Sequence, residues 1–360
     1  MDSIENKVVL NDERKKWVDV AKAIAMIFVY LGHWITTHLG GLAYGFHLQL
    51  FFLVAGFFAS RMIKKNICEF VKHVFFSITV PFLLWVIISF VFNNLDNSEI
   101  TIAKFWGQVL KNPSSVQPNY WFFSAYIGCI VVYYTLSKII KKQWVVLVIA
   151  VALHFLIGET PILRLEWWTD IENWFIPIRT FNNWIGISSV PQYLFWYSLG
   201  NIAFKYIEQY MSQKQENKTR FYFIGGLSGL ITITLFFYNI KLVDGILGSI
   251  VYFNNFTFEI YKILCAFIII MFVFFISKLF EESRVLNSIG KSSMNFMGLE
   301  YITHGYFALF FLPMMNLGMP TMDYTIQVIT ITCIQIAINL WMSNRINKYI
   351  PILNGDYRYM

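Results

Sequence analysis

The chain has 360 residues, of which 57% are hydrophobic and only 14% are Asp, Glu, Lys or Arg. Soluble domains carry about 25% charged residues, whereas this chain holds about 205 apolar residues, enough for roughly ten stretches of ~20 residues that could each cross a bilayer. A single soluble domain, a disordered chain and a disulfide scaffold are excluded. The expected class is an all-α integral membrane protein with about ten transmembrane helices, forming one membrane domain over 1–360.

A polar segment over 1–16 opens the chain without a short charged region and cleavage site, so no signal peptide is expected. Apolar runs follow near 17–37, 44–62, 70–92, 120–140, 143–158, 183–204, 220–240, 258–279, 292–315 and 324–344, and a tail closes it over 346–360. Trp167, Trp168, Trp174 and Trp184 blur the edges of the fifth and sixth runs, as an interfacial aromatic belt does. Placing the N-terminus in the cytoplasm puts 21 of the 28 Lys and Arg residues on that side. This bias predicts an even number of spans with both termini cytoplasmic. The net charge of +7 is then topological and does not point to nucleic acid. Cys68, Cys129, Cys265 and Cys333 have no partner at close spacing, so neither a zinc site nor a disulfide framework is expected, and no metal is.

Ionisable residues inside apolar runs carry the functional argument, because each costs on the order of 2–3 kcal/mol on insertion scales. In the first run Lys22 and His33 are eleven residues apart, about three turns, and so share one face with ~16 Å between them. Asp19 lies one turn before Lys22 and can pair with it. A cation at one end and an imidazole at the other form a polar stripe, although Lys22 can also snorkel and His33 can simply bond a neighbouring helix. His47 opens the second run, with only a short Gly-rich turn between it and His33. Glu300 and His304 stand at i and i+4 and face the same way, either as a neutralising pair or as the polar wall of a cavity. Glu259 sits at the mouth of the eighth run. His-x₃-His spacing, a GxSxG elbow and a P-loop are all absent from the sequence.

These residues fall in blocks that resemble the membrane acyltransferase 3 family, and within it the fucose 4-O-acetylase-like branch. Arg14-x-x-Trp17-Val-Asp19-Val-Ala-Lys22 through Gly32-His33 is similar to the family's opening basic-x₁₀-His motif. Phe46-His47 through Gly56 resembles its second-helix block, and Arg61 through Lys72, closing on Pro81, the basic loop after it. Tyr120-Trp121-Phe122-Phe123, Tyr197-Ser-Leu-Gly200 and Leu286-x-x-Ile289-Gly290-Lys291-x-Ser293 followed by His304 are similar to later blocks, in family order. Lys22 stands where many members carry Arg, which favours point-charge pairing over bidentate phosphate recognition.

The resemblance implies transfer of an acyl group, usually acetyl, from cytoplasmic acetyl-CoA to a hydroxyl of an extracytoplasmic or lipid-linked sugar or polysaccharide. Lys22 and Arg61 would hold the donor's phosphates. His33 would act as general base or as a covalent acyl carrier. His47, Glu300 and His304 would line the acceptor pocket, with Arg179 and Trp174 in the large outer loop touching the sugar. The implied setting is multi-pass, in the bacterial cytoplasmic membrane, with the lipid bilayer and the glycan acceptor as partners. Two other readings remain at this stage. A transporter or flippase of glycan intermediates would favour pseudo-symmetric halves, and a scaffold in a polysaccharide assembly would not need Lys22 or His33.

Overall fold

The computed structural model describes residues 15–34, 45–94, 101–105, 107, 116–157, 189–216, 218–245, 255–311 and 322–356. Among them every regular element is helical: α1 Lys16–Trp34, α2 His47–Gly56, α3 Ala59–Lys64, α4 Ile67–Val74, α5 Val80–Asn93, α6 Trp121–Ile140, α7 Gln143–Ile157, α8 Val190–Glu216, α9 Lys218–Gly245, α10 Asn255–Leu279, α11 Arg284–Lys291, α12 Ser293–Phe311 and α13 Met322–Tyr349. Among the described residues, four helical segments are long and apolar enough to cross a membrane: Ile67–Asn93, Trp121–Ile140, Ile260–Leu279 and Ile326–Tyr349. The helices that carry the candidate site residues, α1, α2 and α12, are not among these four. α2, with ten residues, is too short, while α1 and α12 hold the charges and histidines that lower hydropathy.

Local chemistry explains the helix ends nearest the site. α4 starts at a reciprocal cap, in which the Glu69 amide donates to Asn66 Oδ1 at 2.9 Å and the Asn66 amide to Glu69 Oε2 at 3.3 Å; such a box satisfies two orphan N–H groups. Between α4 and α5 the helix widens into a π turn over Phe75–Thr79. Pro81 explains it, since proline has no N–H to return to the carbonyl four residues back, that of Ser77. α13 ends just before Pro351, as expected when the next residue disfavours α geometry. A 3₁₀ turn over Pro351–Asn354 follows, and Gly355 takes a left-handed φ of 79°.

α1 is the hub of the fold, packed against α2, α10, α11, α12 and α13. Its Val20, Ala21, Ala23 and Ala25 are wholly buried, and small side chains let helices approach closely. The tightest approach is to α11, where a Cβ on Gly290 would collide with the Asp19 carbonyl. At one end Lys15 pairs with Glu208 on α8, and Lys16 Nζ lies 2.6 Å from Glu282 in the α10–α11 turn. The stretch after α13, which the sequence leaves as a tail, folds back beneath α5 and α12. Trp85 Nε1 donates to the Leu353 carbonyl at 3.0 Å, and Leu353 is buried.

Candidate active site

Glu300 sits about two-fifths of the way along α12 with its side chain 1% exposed. A carboxylate so deeply buried needs a partner, since isolated charge burial is very costly. α1 supplies one: His33 Nδ1 lies 2.8 Å from Glu300 Oε1. His304, on the same face of α12, is farther, with Nδ1 3.9 Å from the same oxygen, beyond hydrogen-bond range. The two imidazoles meet edge to face with centroids 6.4 Å apart, and the Trp34 ring lies over His304 at 4.1 Å. Two histidines from different helices therefore converge on one carboxylate.

Amide side chains fix the helices that carry this cluster. Asn119, in the 3₁₀ turn Pro118–Tyr120 that leads into α6, approaches the Met297 carbonyl at 3.3 Å and Glu300 Oε2 at 3.4 Å with its Nδ2. Gln335 on α13 donates to the Glu300 carbonyl at 3.1 Å and accepts from Trp34 Nε1 at 2.8 Å. One turn on, Asn339 Nδ2 donates to the Tyr30 hydroxyl at 2.7 Å, and that hydroxyl donates to the Phe296 carbonyl at 2.9 Å. α1, α12 and α13 are thereby tied at the level of the His33–Glu300 contact.

A cavity of about 580 Å³ opens at the other end of the same faces, within the ~300–1,000 Å³ of typical ligand sites. Lys22, His73 and Lys291 bring basic groups to its lining, Asp356 a carboxylate, and Phe51, Phe122, Phe123 and Tyr126 an aromatic wall. Lys22 Nζ is 3.0 Å from Asp19, whose side chain is 3% exposed, so its charge is partly compensated. On α12 the cavity reaches Ser293, Met294 and Met297. Residues 293, 297, 300 and 304 follow i+4, i+3, i+4 spacing and share one helix face. The His33–Glu300 contact thus lies one turn past the cavity's Met297 wall.

Residues 15–343 match the model of the acyltransferase 3 family, described as an acyltransferase domain. The chain belongs to that family. No curated protein and no solved structure gives a significant match. Family membership and the apolar helices together make the protein a membrane acyltransferase, and they do not favour the transporter reading.

In this acyltransferase the sequence's stripe is real: Lys22 and His33 stand at opposite ends of one face of α1, and Asp19 pairs with Lys22 as the spacing predicts. Lys22 lines the cavity, while His33 is not part of its lining. Arg61 is exposed midway along α3 and lies outside the lining, with its guanidinium 5.6 Å from the ring of Phe58, which does line it. His47 is buried at the head of α2, only 2% exposed. Arg179 and Trp174 lie outside the described residues. Asn119, Gln335 and Asn339 were not foreseen. Their signal was available for the last two, because amides at i and i+4 in an apolar helix such as Ile334–Leu340 invite the same question as a buried charge. Among the described residues no three His, Cys, Asp or Glu groups gather closely enough to hold a metal ion.

Proposed function

We propose that the protein is an O-acyltransferase that moves an acetyl group from cytoplasmic acetyl-CoA to a hydroxyl of an extracytoplasmic or lipid-linked sugar or polysaccharide, in the manner of the fucose 4-O-acetylase-like branch. The observation that carries this reading is the 2.8 Å contact between His33 and a carboxylate that is almost fully buried. A proton on Nδ1, held toward Glu300, leaves the Nε2 lone pair as the basic site, and the carboxylate stabilises the imidazolium that forms. In the proposed reaction the acceptor hydroxyl gives its proton to Nε2 as its oxygen bonds to the thioester carbonyl carbon. The carbon–sulfur bond then breaks, and the CoA thiolate takes the proton from His33. A covalent acyl-imidazole would use the same nitrogen as nucleophile.

Lys22, inside the cavity, and Arg61, at its outer edge, would meet the donor's phosphates on the cytoplasmic side, in a protein with about ten spans and both termini inside. His47, Glu300 and His304 would border the acceptor, with Arg179 and Trp174 as sugar contacts from the outer loop. The site so placed faces donor and acceptor from opposite sides of one membrane.

The test is surface-glycan NMR on cells lacking the gene and complemented with wild type or His33→Ala. O-acetyl signals should vanish on deletion and return with wild type alone, and the shifted ring proton then identifies the hydroxyl. Full acetylation with His33→Ala sinks the role of His33. A missing glycan with normal acetylation of what remains would revive transport.

A further inference from the structure

We propose that Lys291, mounted by the chain's C-terminal hook, is the principal anchor for the donor's phosphates; this rests on the acetyl-CoA reading above. Lys22, the cation expected to fill that role, is partly neutralised by buried Asp19 at 3.0 Å, and Arg61 does not line the cavity. Lys291 does, with an exposed side chain and no carboxylate within ion-pair distance among the described residues. It enters the cavity wall as a point charge that no carboxylate contacts directly among the described residues.

The backbone around Lys291 is held on three sides, so the cation is built into place. Before it, Gly290 is pressed against the Asp19 carbonyl, where no side chain fits. Beside it, Asn354 Nδ2 donates to the Lys291 carbonyl at 3.0 Å. After it, Asn347 Nδ2 donates to Ser292 Oγ at 2.7 Å. Asn354 is itself fixed, since neighbouring Leu353 is buried and bonded to Trp85, and Gly355 turns with φ 79° against Ser77. α12 begins two residues after Lys291, and its first residues Ser293 and Met294 also line the cavity; the unpaired amides of a first helical turn add to the positive potential there. His73 contributes a further basic group, and Asp356, the carboxylate of the lining, keeps the pull short of indiscriminate anion capture.

Binding separates the phosphate contact from a structural role. The purified full-length protein in nanodiscs would be titrated with coenzyme A and with pantetheine, which lacks the phosphates. Lys291→Gln is expected to weaken coenzyme A about tenfold, as loss of one charge-assisted contact does, while leaving pantetheine affinity and the melting temperature unchanged. Lys291→Arg should retain most of the affinity, and Arg61→Gln should cost less than Lys291→Gln. Salt should weaken coenzyme A binding to wild type more steeply than to Lys291→Gln, because exposed charges are screened. Coenzyme A affinity within twofold of wild type in Lys291→Gln, or equal losses for both ligands, would overturn the proposal. Wild type that binds pantetheine but gains nothing from the phosphates overturns it while sparing the thioester reading. Wild type that binds neither overturns both.

Discussion

The imidazole of His33 on α1 and the carboxylate of Glu300 on α12 meet at 2.8 Å, although about three-quarters of the chain separates them in sequence. A pair of this kind acts as a unit, so its members should fail together. Glu300→Gln keeps an acceptor for the Nδ1 proton but removes the charge that stabilises an imidazolium. The expected result is a fall in kcat of about 10²-fold, within the ~10²–10⁴ that a positioned general base contributes. His33→Ala should lose at least as much, and the double variant should be no worse than His33→Ala alone. Steady-state kinetics in nanodiscs checks this; wild-type turnover by Glu300→Gln would make the carboxylate a neutralising partner only.

Asn119 is predicted to act through Glu300. Its Nδ2 is within 3.4 Å of Glu300 Oε2, and its Oδ1 is buried without a hydrogen-bond partner. Asn119→Ala removes its contacts with the Met297 carbonyl and with Glu300, each worth about 1 kcal/mol, and frees the carboxylate to rotate. kcat should fall severalfold, with the donor KM little changed. Asn119→Asp should be worse, because it sets a second carboxylate beside Glu300 with no new cation. Equal kcat for all three proteins would remove Asn119 from the site.

Part of this site was legible in the sequence and part was not, for physical reasons. The Lys22–His33 stripe and the Asp19–Lys22 pair are intra-helical, so a 3.6-residue period places them without knowledge of any other helix. Glu300 and His304 share a face by the same rule. What periodicity cannot give is which helix faces which. The Gly-rich stretch after the first apolar run offers His47 as a neighbour of His33, but nothing in the period points to the carboxylate partner, which comes from α12, far along the chain. Gly290 and Gly200 were readable as family positions, but their cause is three-dimensional: each faces a carbonyl of another helix, Asp19 and Leu53 respectively. The hook over Pro351–Asp356 looked like a tail because a few residues after the last apolar run carry no period at all. Its packing on Trp85 and Lys291 comes from tertiary contacts alone.

The crossing of α1 and α11 yields a stability prediction. A methyl group at position 290 would strike the Asp19 carbonyl, a backbone atom that cannot swing aside. Overpacking of this kind costs about 1–3 kcal/mol. Gly290→Ala should therefore lower the melting temperature of the purified protein and its membrane yield. Gly305→Ala, where nothing lies within 4 Å of the added carbon, should not. A full-length Gly290→Ala protein that melts with wild type would show that the helices separate here without penalty.

Gly355 gives the last prediction, one that separates the shape of the hook from its charge. Its φ of 79° lies where an L side chain is strained, and an added Cβ would come 2.5 Å from the Ser77 carbonyl. The left-handed conformation alone costs a non-glycine residue roughly 1–2 kcal/mol, and the collision adds to it, so Gly355→Ala should release the hook from the π turn. Both residues of that contact lie outside helices α1 to α13, so insertion should survive. The Asn354 bond to the Lys291 carbonyl should not. Coenzyme A affinity is then expected to drop by a factor approaching that of Lys291→Gln, although every cation in the lining is still present. Cysteine crosslinking between positions 354 and 291 would report the displacement directly. If the crosslink forms as readily in Gly355→Ala as in the Gly355 background, the hook is held by Leu353 and Trp85 alone, and the left-handed turn is incidental to it.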